Sequence, residues 1–230
     1  MKYASLCLLA YKRPEQLRNC IHTLIETADY PYELIVNLDG DDSGNSEYLF
    51  DLYKAKEISK LIVQSGNNRG VGRSFANCIG VAEGDYIFKI DTDLTFRPNW
   101  LSTSIKILDD QPDVGAVSLF NYNNYDEKDE RFKVTAARLG CYLVNDFVSS
   151  IYGFRKEDLV IGGYNQDDGF HTKLGNHRGK LAITPQDYVS NSGFGVTRST
   201  YVQGDESDPT TWHKTPTSDN PLIFQSGRGV

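Results

Sequence analysis

A chain of 230 residues sits just above the ~100–200 residue scale of one domain, so a single domain with an appendage is expected. Its content of 39% hydrophobic, 24% charged and 12% aromatic residues excludes disorder, collagen-like repeats and low complexity for the bulk of the chain. Thirty-one acids against 24 bases leave a net charge of −7, which argues against a broad phosphate-binding surface for nucleic acid but leaves room for a local basic patch.

Ala4 to Ala10 is a short continuous apolar run, as in a strand covered on both faces. With Lys2 it imitates a signal peptide, but it enters Tyr11-Lys12-Arg13-Pro14 with no small-residue cleavage site, and that reading is rejected. Pro14 suits the first position of a helix, and Leu17, Cys20, Ile21, Leu24 and Ile25 give that helix one apolar face. Strands are expected at Glu33 to Val36, Leu61 to Gln64, Asp85 to Ile90 and Val114 to Phe120. Helices are expected at Ser46 to Lys56 and Val71 to Ala82, with another opened by Pro98. This alternation means an α/β fold with a largely parallel sheet and right-handed crossovers. Beyond Phe120 the pattern loosens. Asn121 to Arg131 reads as a polar loop, Val134 to Val144 and Phe147 to Phe154 as strands, Asp167 to Leu174 as a short helix and Leu181 to Thr184 as a strand. From Gly204 the chain is polar with three prolines, an irregular tail or flap. No run approaches the ~20 apolar residues that cross a bilayer. Cys7, Cys20, Cys78 and Cys141 form no CxxC pair, so buried free thiols in a reducing cytoplasm are expected, not disulfides or zinc.

Open parallel sheets bind ligands outside the carboxyl ends of their strands. Three polar stretches fall there: Tyr11-Lys12-Arg13, the segment Asn37 to Asp42, and Asp91-Thr92-Asp93. Gathered carboxylates suit ribose hydroxyls, a base N–H, or a hard cation such as Mg²⁺ or Mn²⁺ shared with phosphates. Asp39-Gly40-Asp41 also begins like a calcium loop, but Phe50 stands where the bidentate Glu is required, and calcium fails. The plain alternative is a turn rich in Asp, Gly and Ser. Asp91 ends the apolar strand Tyr86-Ile87-Phe88-Lys89-Ile90, where a carboxylate needs a partner. Gly70-Val71-Gly72-Arg73 lacks the third glycine of a dinucleotide fingerprint, with Phe75 in its place. It reads instead as a loop at a helix N-terminus, with Arg69 or Arg73 free to meet a phosphate.

In order and spacing these pieces resemble family 2 glycosyltransferases of the GT-A fold. The resemblance rests on Tyr11-Lys12-Arg13-Pro14, Leu38-Asp39-Gly40-Asp41, Asn68-Arg69-Gly70, and Ala82-Glu83-Gly84-Asp85-Tyr86-Ile87 leading to Asp91-Thr92-Asp93. It implies a GT-A-like, Rossmann-related sheet flanked by helices. Residues 1–120 would form the nucleotide-sugar half, 121–203 a less regular acceptor half, and 204–230 the tail or flap, all in one domain. It further implies a metal-dependent, inverting transfer from a nucleoside-diphosphate sugar, UDP-sugar favoured, to an acceptor hydroxyl on a saccharide or glycoconjugate. Asp39 would contact the base or ribose and Tyr11 would line the base pocket. Asp91 and Asp93 would serve the ribose and a Mn²⁺- or Mg²⁺-bound diphosphate, with Asp93 the more direct metal ligand.

The family's acceptor half carries a Gly-Gly-Phe turn and then Glu-Asp, whose Asp is the general base. Here Gly162-Gly163-Tyr164-Asn165-Gln166-Asp167-Asp168 aligns Asp167 with that base. Asp168 is its neighbour, and one of the two can instead cap the following helix. Three family positions differ: Leu38 replaces an Asp, Gln166 replaces the Glu, and Phe75 stands where an Arg is usual, so Arg73 would substitute. Related enzymes often add a third metal ligand. His213 on the flap is the candidate and His177 is second; His22 and His171 ask for no role. Two other classes compete. A sugar-1-phosphate nucleotidyltransferase would need a Gly-rich loop after the first strand, and none is present. A non-catalytic nucleotide- or carbohydrate-binding relative would have no use for Asp167. Within the transferase class, a hydroxylated nucleic-acid base is the outlying acceptor, and the acidic balance counts against it.

Overall fold

The computed structural model describes residues 1–40, 44–119, 139, 141–144, 147, 150–162, 169–191 and 222–225. The first half follows the expected alternation: β1 (Ala4–Ala10), α1 (Pro14–Thr27), β2 (Tyr32–Asp39), α2 (Asn45–Lys54), β3 (Lys60–Gln64), α3 (Val71–Val81) and β4 (Tyr86–Asp91). A short β5 (Leu94–Phe96) precedes α4 (Trp100–Asp110) and β6 (Val114–Ser118). Then come β7 (Tyr142–Val144), β8 (Ile151–Arg155), a 3₁₀ turn (Lys156–Ile161), α5 (Phe170–Arg178), β9 (Lys180–Ile183), β10 (Val189–Asn191) and β11 (Leu222–Gln225).

Nine strands form one sheet in the order β11-β3-β2-β1-β4-β8-β6-β9-β7, and β5 pairs with β10 separately. β1 to β4, β6 and β9 run parallel, while β7, β8 and β11 run against them. The largely parallel α/β sheet is therefore as expected. The insertion of β8 between β4 and β6 is a long-range pairing that no local pattern announces. Two local expectations shift. Pro98 does not open α4, because Asn99 follows in the left-handed region at φ 68 and the helix begins at Trp100. Within the polar tail, Leu222–Gln225 pairs with β3 as an edge strand.

Residues along β1, β2 and β4 alternate between two layers. Leu6, Leu8, Leu34, Val36, Phe88 and Ile90 pack with α1, α2 and α4, and Cys7, Leu9, Ile35 and Ile87 pack with α3 and α5. All four cysteines are buried free thiols.

A polar network pins the turn between α3 and β4. The Ser5 hydroxyl donates to Glu33 Oε1 at 2.6 Å, and the same oxygen accepts from Glu83 N at 2.7 Å. Ser5 Oγ in turn accepts from Gly84 N at 2.8 Å, and Lys60 Nζ lies 2.8 Å from Glu33 Oε2. A Cβ at Gly84 would stand 2.7 Å from Ser5 N, so this close approach requires glycine. The Ala82-Glu83-Gly84-Asp85 segment thus sets where β4 enters the sheet, and with it where β4 ends.

Candidate functional site

β2 ends at Asp39 and β4 at Asp91, with β1 between them; Leu9 is level with both Asn37 and Asp91. The carboxyl ends of three adjacent parallel strands thus bring together Tyr11, Asp39 and Asp91, and the turn after β4 adds Asp93. Strand alternation turns Asp39 and Asp91 toward the α3 and α5 layer.

Asp39 is 3% exposed. Its Oδ2 accepts from Arg69 N at 2.8 Å, Gly70 N at 3.0 Å and Ser74 Oγ at 3.1 Å. Its Oδ1 is buried without a hydrogen-bond partner among the described residues. Burial pushes the carboxyl above its ordinary value, against the opposing pull of these donors. Asp39 therefore takes two backbone amides at the start of α3. The segment does form a loop at a helix N-terminus, as its residues suggested, and the Arg73 side chain in the first turn is exposed. Two residues earlier on the same strand and face, Asn37 Oδ1 accepts from Gln64 Nε2 and Asn77 Nδ2, each at 3.2 Å, a polar layer beneath Asp39.

The D-x-D carboxylates have different partners. Asp91 Oδ1 lies 2.9 Å from Lys89 Nζ, and Lys89 is buried to 2% exposure. Asp93, 7% exposed, accepts from Arg13 Nη1 at 2.9 Å through Oδ2. Arg13 reaches it from the turn after β1, where Lys12 and Arg13 hold φ near 52 and 51. That backbone is costly for non-glycine residues. It is held by Asn45 Nδ2, which donates to Lys12 O at 2.8 Å, and by Leu17 N, which donates to Arg13 O at 3.0 Å. Lys12 Nζ lies 5.3 Å over the Tyr11 ring. Lys89 is thus one partner that Asp91 needed, and sequence reasoning passed over it as one member of an apolar strand. A charge two positions before a carboxylate in a strand shares its face, and that spacing was the available signal.

Asp91 and Asp93 are hard oxygen donors of the type Mg²⁺ and Mn²⁺ accept alongside waters and phosphate oxygens. No group of three His, Cys, Asp or Glu residues among the described residues could hold a metal. The two carboxylates fit such an ion only where a nucleotide completes its shell. Asp167, Asp168 and His213 lie outside the described residues. His177 is described, and as a ligand for this rim it is corrected. It lies in the last turn of α5, just before the start of β9 and so toward the amino ends of the parallel strands, away from the rim, with Nε2 3.7 Å from Asp158 Oδ1. The same carboxylate oxygen accepts from Arg178 Nε at 2.8 Å. His171 is buried in the first turn of α5 and stacks on Phe147 at 4.7 Å between ring centroids. Among the described residues no helix is long and apolar enough to cross a membrane.

Over 112 residues the chain is 23% identical to glucosyl-dolichyl phosphate glucuronosyltransferase of Haloferax volcanii, covering 49% of this chain and 35% of that protein. Over 128 residues it is 25% identical to glycosyltransferase GlyG of Streptococcus pneumoniae, covering 56% and 42%. The chain thus spans less than half the length of these curated relatives. Among solved structures, mannosyltransferase PcManGT from Pyrobaculum calidifontis, in complex with GDP-Man and Mn²⁺, is similar with a TM-score of 0.62. The identity is 20%, over 81% of this chain and 55% of that one. S. aureus TarS in complex with UDP is similar with a TM-score of 0.58 at 15% identity, over 82% and 60%. These likenesses show the GT-A fold. The profile of Glycosyl transferase family 2 matches residues 5–178, from β1 through the carboxylate rim to the end of α5, and the chain belongs to that family.

Proposed function

We propose that this chain is a metal-dependent, inverting glycosyltransferase that moves a sugar from a nucleoside-diphosphate sugar to an acceptor hydroxyl on a saccharide or glycoconjugate. The observation that carries the reading is the gathering of Asp39, Asp91 and Asp93 at the ends of adjacent strands in a family 2 chain. A UDP-sugar is the favoured donor; the two similar structures hold UDP and GDP-Man.

In this reading residues 1–120 hold the donor. Asp39, fixed by the α3 amides, accepts a hydrogen bond from base or ribose, and the Tyr11 ring covers the base. Asp91 accepts from the ribose, while Arg73 meets phosphate oxygens. Asp93, with His213 as further ligand, would hold Mn²⁺ or Mg²⁺, which when bound would supply positive charge beside the leaving diphosphate. Residues 121–203 hold the acceptor, and Asp167 takes the proton of the attacking hydroxyl, with Asp168 beside it. In-line attack with oxocarbenium character inverts the anomeric centre. The setting is cytoplasmic, a reading supported by four buried free thiols.

The test is release of nucleoside diphosphate from UDP- and GDP-sugars with Mn²⁺, comparing wild type with Asp167→Asn. The proposal expects turnover to fall by at least ~100-fold in the variant, the scale of general-base catalysis, with nucleotide binding retained. Equal turnover in the two proteins would remove Asp167 as base, and no turnover by wild type on any donor with acceptor present would leave a binding protein.

A further inference from the structure

We propose that Phe75 is a positioning residue that ties the turn of α3 gripping Asp39 to the start of α5. Through it the donor contact sets where Asp167 and Asp168, which lead into α5, are held. The assignment rests on the donor and acceptor readings above.

One side of α3 is fastened to β2. Ser74 Oγ donates to Asp39 Oδ2 at 3.1 Å, and Asn77 Nδ2 donates to Asn37 Oδ1 at 3.2 Å. Phe75 is the next residue after Ser74 and the one aromatic residue of α3. It projects about 100° further round the helix and is 3% exposed. Its ring meets Tyr152 and Phe154 of β8 at 6.2 and 6.4 Å between centroids, and Phe170 of α5 at 6.5 Å, each edge-on. Phe154 and Phe170 meet edge-on as well, at 5.4 Å. Phe75, Phe154 and Phe170 therefore form a closed cluster drawn from α3, β8 and α5.

Phe170 is the first residue of α5, 1% exposed, and follows Gly169 at φ 91. Asp167 and Asp168 are the two residues before that glycine, so the ring anchors the helix end from which their segment departs. Aromatic pairs hold a preferred edge-on geometry, and a close-packed interior passes a displacement on to its neighbours. A nucleotide bound at Asp39 bears on Gly70 and Ser74, which hold that carboxylate. Restraining this first turn restrains Phe75, and Phe75 in turn restrains Phe170. Coupling of this kind is carried by packed side chains and rigid elements, and binding that stiffens one element stiffens what is packed on it. A leucine at position 75 keeps an apolar filling but loses the edge-on contacts with β8 and α5.

The experiment is amide hydrogen exchange with and without saturating UDP or GDP, each with Mn²⁺, in wild type, Phe75→Leu and Leu24→Ala. Leu24 of α1 is buried in the opposite layer, and its variant controls for lost stability. In wild type the nucleotide should slow exchange in residues 65–74 and also in α5. Phe75→Leu should keep the first effect and lose the second, whereas Leu24→Ala should keep both. Four results would each overturn the assignment: no nucleotide effect on α5 in wild type, an effect on α5 that survives Phe75→Leu, loss of both effects in Phe75→Leu, or an equal loss in Leu24→Ala. If Phe75→Leu does not fold, Phe170→Leu opens the same contact from the α5 side and carries the same readouts. A wild type in which neither nucleotide changes exchange at residues 65–74 removes the donor-site reading itself, whereas protection there without the α5 effect removes only this inference.

Discussion

Arg13 and Asp93 are 80 positions apart in the chain and 2.9 Å apart at the rim, joined by Nη1 donating to Oδ2. The bond ties the turn after β1 to the turn after β4. Both side chains are largely buried, so deleting one partner removes a charge-assisted bond from a weakly solvated place. Arg13→Ala should therefore lose about 3 kcal/mol in EDTA. Mn²⁺ should raise the Tm of the variant more than that of wild type, because the ion replaces the missing cation at Asp93. An equal Mn²⁺ response in both proteins would count against Asp93 as a metal ligand.

Asp39 predicts a pH dependence. Burial raises its folded pKa above 3.8, so between 3.8 and that raised value the native state binds more protons than the unfolded chain. Stability from this group is present at low pH and is lost as pH rises through the folded value. Asp39→Asn keeps an acceptor for the α3 amides without the charge. It should be more stable than wild type at pH 7, with the difference closing as pH falls toward the ordinary carboxylate range, and it should bind nucleotide more weakly. Denaturant midpoints across pH would show this; a variant less stable than wild type at pH 7 contradicts it.

Gly115 predicts a packing effect on the acceptor side. A Cβ there would overlap the Leu174 carbonyl of α5, which is rigid backbone and not a side chain that can turn away. Gly115→Ala should cost about 2 kcal/mol as overpacking. Since α5 follows directly on the segment carrying Asp167 and Asp168, turnover should fall more than nucleotide affinity. Urea unfolding alongside calorimetry separates the two effects.

The cysteines predict low reactivity. Burial pushes the Cys141 thiol up to about 11 and raises Cys7 and Cys20 as well, and the thiolate is the reactive form. Native protein should react slowly with a thiol reagent at pH 8, and all four cysteines should react once guanidinium unfolds the chain. Rapid labelling of the native protein would contradict the burial.

The parts legible in the sequence are those with local causes. Pro14 at the start of α1, the i, i+3, i+4 spacing from Leu17 to Leu24, and the continuous apolar β1 are each readable within one turn or one strand. The acidic rim was legible too, because Asp39 and Asp91 are the last residues of their strands. What escaped depends on distant partners. The antiparallel β8 between β4 and β6 is set by pairings such as Lys89 with Tyr152, more than sixty positions apart. The left-handed turn at Lys12 and Arg13 is held in part by Asn45, a residue with no local signal. His177 looked available as a ligand only because its place at the amino end of β9, away from the rim, depends on Asp158 and on the direction of β9.

The most direct test of the donor site is thermal stabilisation by a panel of nucleoside diphosphates, with and without Mn²⁺, for wild type and Asp93→Ala. Binding confined to the folded form contributes about 2.7 kcal/mol at a hundredfold excess over Kd, enough to move Tm visibly. A Mn²⁺-dependent shift with one nucleotide, lost in Asp93→Ala, is the predicted result. No shift with any nucleotide in wild type, or an equal shift in the variant, would contradict the account of the rim as a metal-assisted nucleotide-sugar site.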